Sequence, residues 1–218
     1  MTRQQKFLLI ISPILVISTT FWASFSAGFF DKTAGYISVN LIYWGIFCIP
    51  GIIFITNGKK QELIAMYIPK TTMGKNKLGI YNLTAFLPVL PVCIVAFIPV
   101  IKTALALPII IALVYAVFNG FIEELFWRGL FNKAFDDNII FAFIYPTVMF
   151  SGWHIALILV KGMVYTGGNI ALLAGASFMG VLWGFIAYKT KSVRYTTAAH
   201  IITNFFAFSG LIYENWFL

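Results

Sequence analysis

Gly120–Phe131 reads GFIEELFWRGLF, and it places two adjacent glutamates, Glu123 and Glu124, and Arg128 inside an apolar, aromatic run. On either side the chain stays hydrophobic: 61% of its 218 residues are apolar, 18% aromatic and only 10% charged. Mean hydropathy is +0.91. A water-soluble domain needs more polar surface than this. Apolar stretches of about 20 residues recur, the length a helix needs to cross ~30 Å of hydrocarbon. The expected class is therefore all-α: a polytopic transmembrane helix bundle of about seven spans, six to eight being compatible, in a single integral-membrane domain over residues 1–218. A charge at mid-bilayer costs ~2.5–3.5 kcal/mol on insertion scales, so the three charges call for partners, a watery cavity or a chemical task.

Working outward, the spans are expected at about Phe7–Phe30, Ala34–Thr56, Ile80–Ile101, Ala104 into the EELFWR segment, Ile139–Val160, Ile170–Tyr188 and Tyr195–Ile212. The basic head Met1–Lys6 followed by an apolar run reads as a retained first helix rather than a cleaved signal. Residues 57–79 form the longest polar interval, and residues 129–138 read as an interfacial turn or short helix. Pro88, Pro91 and Pro99 predict kinks in the third span. Ala176, Gly180 and Gly184 put small residues on one face of the sixth, where a neighbouring backbone can come close.

The net charge of +8 sits in short gaps between apolar runs, without the basic stripe or fold signature of a nucleic-acid binder. With the N-terminus in the cytoplasm, only Lys32, Lys102 and Lys161 lie outside. The positive-inside rule thus predicts a multi-pass cell-membrane protein with a cytoplasmic N-terminus and an outward C-terminus. Cys48 and Cys93 form no CxxC pattern and read as packing residues.

Residues four apart share a helix face, so Glu124 and Arg128 can neutralise one another. Successive residues are ~100° apart, which directs Glu123 elsewhere, on the face of Asn119. The only two histidines, His154 in FSGWH and His200 in HIITN, also lie in apolar segments. His200 and Asn204 share a face, as donors to one oxyanion must. Each feature alone has a structural reading, as an ion-pair cluster or a polar helix seam. Together they supply a base, two imidazoles and an amide on three spans, the groups that water-mediated amide hydrolysis needs. No GxSxG elbow is present, and no repeat of the kind transporters carry is evident.

EExxxR (Glu123, Glu124, Arg128), FxxxH (Phe150, His154) and HxxxN (His200, Asn204) together resemble the signature of the CPBP family of intramembrane proteases. These are the CAAX proteases and bacteriocin-processing enzymes, also called Abi, and the likeness covers roughly residues 108–206. The resemblance implies an intramembrane endopeptidase in a lipid bilayer whose site opens toward the cytoplasm. Its substrate would be a membrane-associated, lipidated or leader peptide, or a membrane protein. It further implies that Glu123 and His154 activate water, that His200 and Asn204 form the oxyanion hole, and that Glu124 and Arg128 support the site. No cofactor is favoured; zinc or another divalent metal on Glu123, His154 and His200 is the alternative. A non-enzymatic protein of the same fold, acting as a bacteriocin immunity factor, is the rival function.

One depth conflict follows. His154 lies 15 residues into its run, or ~22 Å of helix, whereas Glu123 and His200 lie close to the cytoplasmic ends. Convergence requires either that residues 139–145 lie at the interface, with the span starting near Pro146, or that Glu123 sits deeper.

Overall fold

The computed structural model describes residues 1–218, which form helices and no strands. Helix α1 spans Arg3–Ser26, α2 Lys32–Thr56, α3 Lys60–Met66, α4 Lys75–Ile101, α5 Ala106–Phe135, α6 Ile140–Ile158, α7 Gly168–Thr190 and α8 Arg194–Ile212. Of these, α1, α2, α4, α5, α6 and α7 are long and apolar enough to cross a membrane. Helix α8 has the length but carries Thr196, Thr197, His200, Thr203 and Asn204, and is not among these six. The protein is an all-α polytopic bundle.

Local chemistry sets the helix ends. Thr2 and Gln5 form a reciprocal capping box at the start of α1, and Asp31 accepts the Ala34 N–H at the start of α2. Asn57 and Lys191 take left-handed conformations and stop α2 and α7. Inside the spans, the hydroxyls of Ser12, Thr19, Thr56 and Thr190 donate to carbonyls one turn back. With no water nearby, that is how a lone hydroxyl is satisfied. Large apolar side chains such as Ile17, Phe21, Leu83, Leu90 and Phe118 point outward, as a lipid-facing surface requires.

Two boundaries differ from expectation. Residues 129–138, expected as an interfacial turn or short helix, are helical through Phe135 as the continuation of α5, and the polar turn is Asp136–Asn138. Glu123 thus has 12 helical residues beyond it and lies in the middle of a 30-residue helix. The depth conflict is resolved on the Glu123 side; α6 starts at Ile140, not near Pro146. The interval 57–79 is also more structured than its polarity implied. It contains α3, whose Met66 carbonyl accepts the Val193 N–H, while the Tyr67 carbonyl accepts the Ser192 hydroxyl. These bonds fasten the α7–α8 turn to the underside of the bundle. At the same end Lys133 pairs with the exposed Glu62 and holds its carboxyl below the usual range.

Proline breaks α4 as expected, and the break has a use. The chain turns at Ala85–Pro88, freeing the Ala85 carbonyl to accept the indole N–H of Trp183 at 2.9 Å. The small-residue face of α7 packs on α6: Gly180 meets Phe150, and Gly184 meets Thr147 and Phe143. Gly120 does the same between α5 and α8. A Cβ there would lie 2.6 Å from Ile201 Cγ1 and 3.2 Å from the Ile201 backbone nitrogen. The glycine therefore lets the helix carrying Glu123 and Glu124 approach the residue next to His200. Gly120→Val is expected to destabilise the protein by about 1–3 kcal/mol through overpacking and to lower any activity of the site more than tenfold. Thermal unfolding in detergent and a cleavage assay on the same preparation measure the two effects.

Candidate active site

The structure brings the residues of all three motifs together. From Glu124 to Leu130, α5 widens from α-helical to π-helical bonding, an irregularity frequent at functional sites. The expected pair forms there, with Arg128 Nη1 3.2 Å from Glu124 Oε1, both side chains buried. The guanidinium also lies 4.1 Å from the centroid of the Phe150 ring, a cation–π contact that offsets part of its burial. Glu124 faces α8 as well: its Oε1 is 2.9 Å from His200 Nδ1.

Glu123 lies on the Asn119 face, and Asn119 Nδ2 donates to its Oε2 at 2.9 Å. Trp153 Nε1 donates to its Oε1 at 3.1 Å, and His200 Nε2 lies 3.3 Å from Oε2. The carboxylate is thus oriented from α5, α6 and α8 at once. The two glutamates do not simply diverge, as helical spacing alone implied. They grip opposite nitrogens of one imidazole, and a ring with hydrogens on both nitrogens gives each carboxylate a donor.

A further layer fixes these donors. Trp44 Nε1 donates to Asn119 Oδ1 at 3.0 Å. Tyr43 stacks on Trp153 with centroids 3.8 Å apart, and its hydroxyl accepts from Trp127 Nε1 at 2.6 Å. Trp183, tied to Ala85, stacks on His200 at 4.4 Å. Sequence reasoning missed Trp153, Trp44, Tyr43 and Trp183. The available signal was chemical: a buried indole N–H usually needs an acceptor, and Trp153 neighbours His154.

His154 pairs through Nδ1 with the Phe150 carbonyl at 2.8 Å. If that nitrogen carries the hydrogen, Nε2 keeps a lone pair. Glu123, His154, His200 and Asn204 all line one cavity of about 340 Å³; Glu124 and Arg128 stand behind its wall. Most of the remaining lining is apolar and comes from α4, α6, α7 and α8. Pro91, Val95 and Ala171, at the edge of this cavity, are exposed on the flank of the bundle. Tyr165 and Thr166 close the other side, so the cavity reaches toward the α6–α7 loop, away from the lysine-rich interval between α2 and α4.

Zinc on Glu123, His154 and His200, the alternative to a cofactor-free site, finds no ready ligand set in this arrangement. No three histidine, cysteine, aspartate or glutamate side chains form a metal-binding group. Both oxygens of Glu123 already accept N–H donors and both nitrogens of His200 face carboxylates. A catalytic zinc shell needs three free ligand atoms and an open water position.

Fold and site together define a multi-pass helical membrane protein with a buried carboxylate–imidazole centre beside an apolar cavity. Residues 105–206 match the family model of type II CAAX prenyl endopeptidase Rce1-like proteins. That stretch carries every motif residue and is similar to the CAAX-type intramembrane proteases. No curated protein and no solved structure matches the chain.

Proposed function

We propose that the protein is an intramembrane endopeptidase using Glu123 to activate water against a peptide bond of a membrane-associated substrate. The observation that carries this reading is the Glu123 carboxylate, held by three N–H donors at the wall of a cavity it shares with His154, His200 and Asn204. A base so oriented loses little freedom on reaction, and a positioned base contributes typically 10²–10⁴-fold.

In this mechanism a water held between Glu123 and the free Nε2 of His154 attacks the carbonyl carbon. Its proton passes to Glu123 as the new C–O bond forms. Negative charge then leaves the carboxylate and appears on the carbonyl oxygen, and the His200 Nε2–H, released from Glu123, follows it together with the Asn204 amide. The C–N bond breaks as Glu123 returns the proton to the departing amine. Glu124 anchors Nδ1 of His200 and keeps Nε2 turned toward the cavity; Arg128 neutralises Glu124. No step uses a metal. The lysine distribution supports a cytoplasmic N-terminus, which turns the cavity toward the outer half of the membrane. No finding favours an immunity factor acting by binding alone.

The test is cleavage by purified protein in liposomes containing apolar peptides, run in ¹⁸O-labelled water after exhaustive chelation. Activity within twofold of the untreated enzyme is expected, with one labelled oxygen in the new carboxylate. Loss of activity on chelation with recovery on adding zinc overturns the metal-free mechanism. Absence of cleavage under all conditions overturns the peptidase reading.

A further inference from the structure

Asn119 Nδ2, Trp153 Nε1 and His200 Nε2 each offer a hydrogen to the Glu123 carboxylate. For two of them the role is fixed. An indole nitrogen only donates, and His200 keeps its other nitrogen on Glu124. The nearby Tyr43 hydroxyl already accepts from Trp127. Asn119 is different, because turning its amide over exchanges the donor nitrogen for an acceptor oxygen. The group that opposes this turn is Trp44 on α2, 75 residues away and in none of the three motifs. Its indole N–H meets Asn119 Oδ1 at 3.0 Å, and its ring packs on Tyr115 with centroids 4.9 Å apart.

Resting on the endopeptidase reading, we infer that Trp44 is a positioning residue: through Asn119 it keeps an acceptor away from Glu123 and so directs the proton of the base to the departing amine. Ionised, Glu123 holds the Asn119 nitrogen without help. Once it has taken a proton from water, its carboxylic acid donates as well as accepts. An amide free to turn would then accept that hydrogen and hold it in the wall, away from the C–N bond that needs it. With Trp44 in place, the turn would set two N–H groups against each other in a buried site, which is costly where water is scarce. The exit left to the proton is the cavity, where the amine departs.

Comparing two leaving groups in liposomes tests this. One substrate is an apolar peptide cut at an amide bond, whose amine needs the proton. The other carries the same acyl segment as a nitrophenyl ester, whose phenolate leaves without one. Trp44→Phe keeps an aromatic ring and deletes the N–H. It is expected to lower the ratio of amide to ester kcat about tenfold, the effect of one buried hydrogen bond, with KM for the amide within twofold. Asn119→Ala has no amide to turn and should keep the wild-type ratio, and adding Trp44→Phe to it should change that ratio less than twofold. Both rates come from one preparation, so any unfolded fraction cancels from each ratio. A Trp44→Phe ratio within twofold of wild type, or an equal drop in both backgrounds, overturns the inference and leaves the peptidase reading standing. Absence of amide cleavage by the wild-type protein overturns both.

Discussion

Glu123→Gln is expected to lower peptide cleavage by about 10²–10⁴-fold, the contribution of a positioned base, while the protein still inserts and folds. Glutamine keeps the size of the side chain and one acceptor oxygen. With its amide nitrogen turned toward Trp153 Nε1, it loses that one donor and keeps Asn119 Nδ2 and His200 Nε2 on its oxygen. Losing one such bond costs about 1 kcal/mol, so the unfolding temperature should fall by only a few degrees. Cleavage in liposomes and thermal unfolding, measured on one preparation, separate the chemical from the structural loss. A variant that cleaves at the wild-type rate would remove Glu123 as the base. Because it should bind without turning over, the same variant is the means to capture substrates for mass spectrometry.

Arg128→Met should act the other way, on stability first. Glu124 is fully buried, and removing its guanidinium leaves it with His200 alone. Breaking a buried pair by deleting one partner costs about 3–5 kcal/mol, whereas replacing both charges costs far less. The Arg128→Met single variant should therefore unfold well below wild type, and Glu124→Gln with Arg128→Met should recover most of the loss. The double variant lacks the anchor on His200 Nδ1, so its stability should return without its activity. If the single variant unfolds within a degree of wild type, the pair has no structural role.

Much of this arrangement was legible from one-dimensional spacing. Pairing four residues apart placed Arg128 on Glu124 and Asn119 on Glu123, because both pairs lie within one helix. The small-residue face of α7 was readable for the same reason, and so was the broken α4, since proline acts on its own helix. The extent of α5 was not. Polar Asn132 and Lys133 suggested an ending that the helix passes through, because Glu62 of α3 supplies a partner for Lys133 from elsewhere in the chain. That extension placed Glu123 deep enough to meet His154.

The sequence by itself determined the membrane class, the three motifs and the local pairs, because hydropathy and helical period act between near neighbours. Only the tertiary structure decided that one imidazole, His200, lies between both glutamates, and that Trp153 holds Glu123. Those relations join side chains 30 or more residues apart, and helix packing brings them within reach where Gly120 lets α5 approach α8.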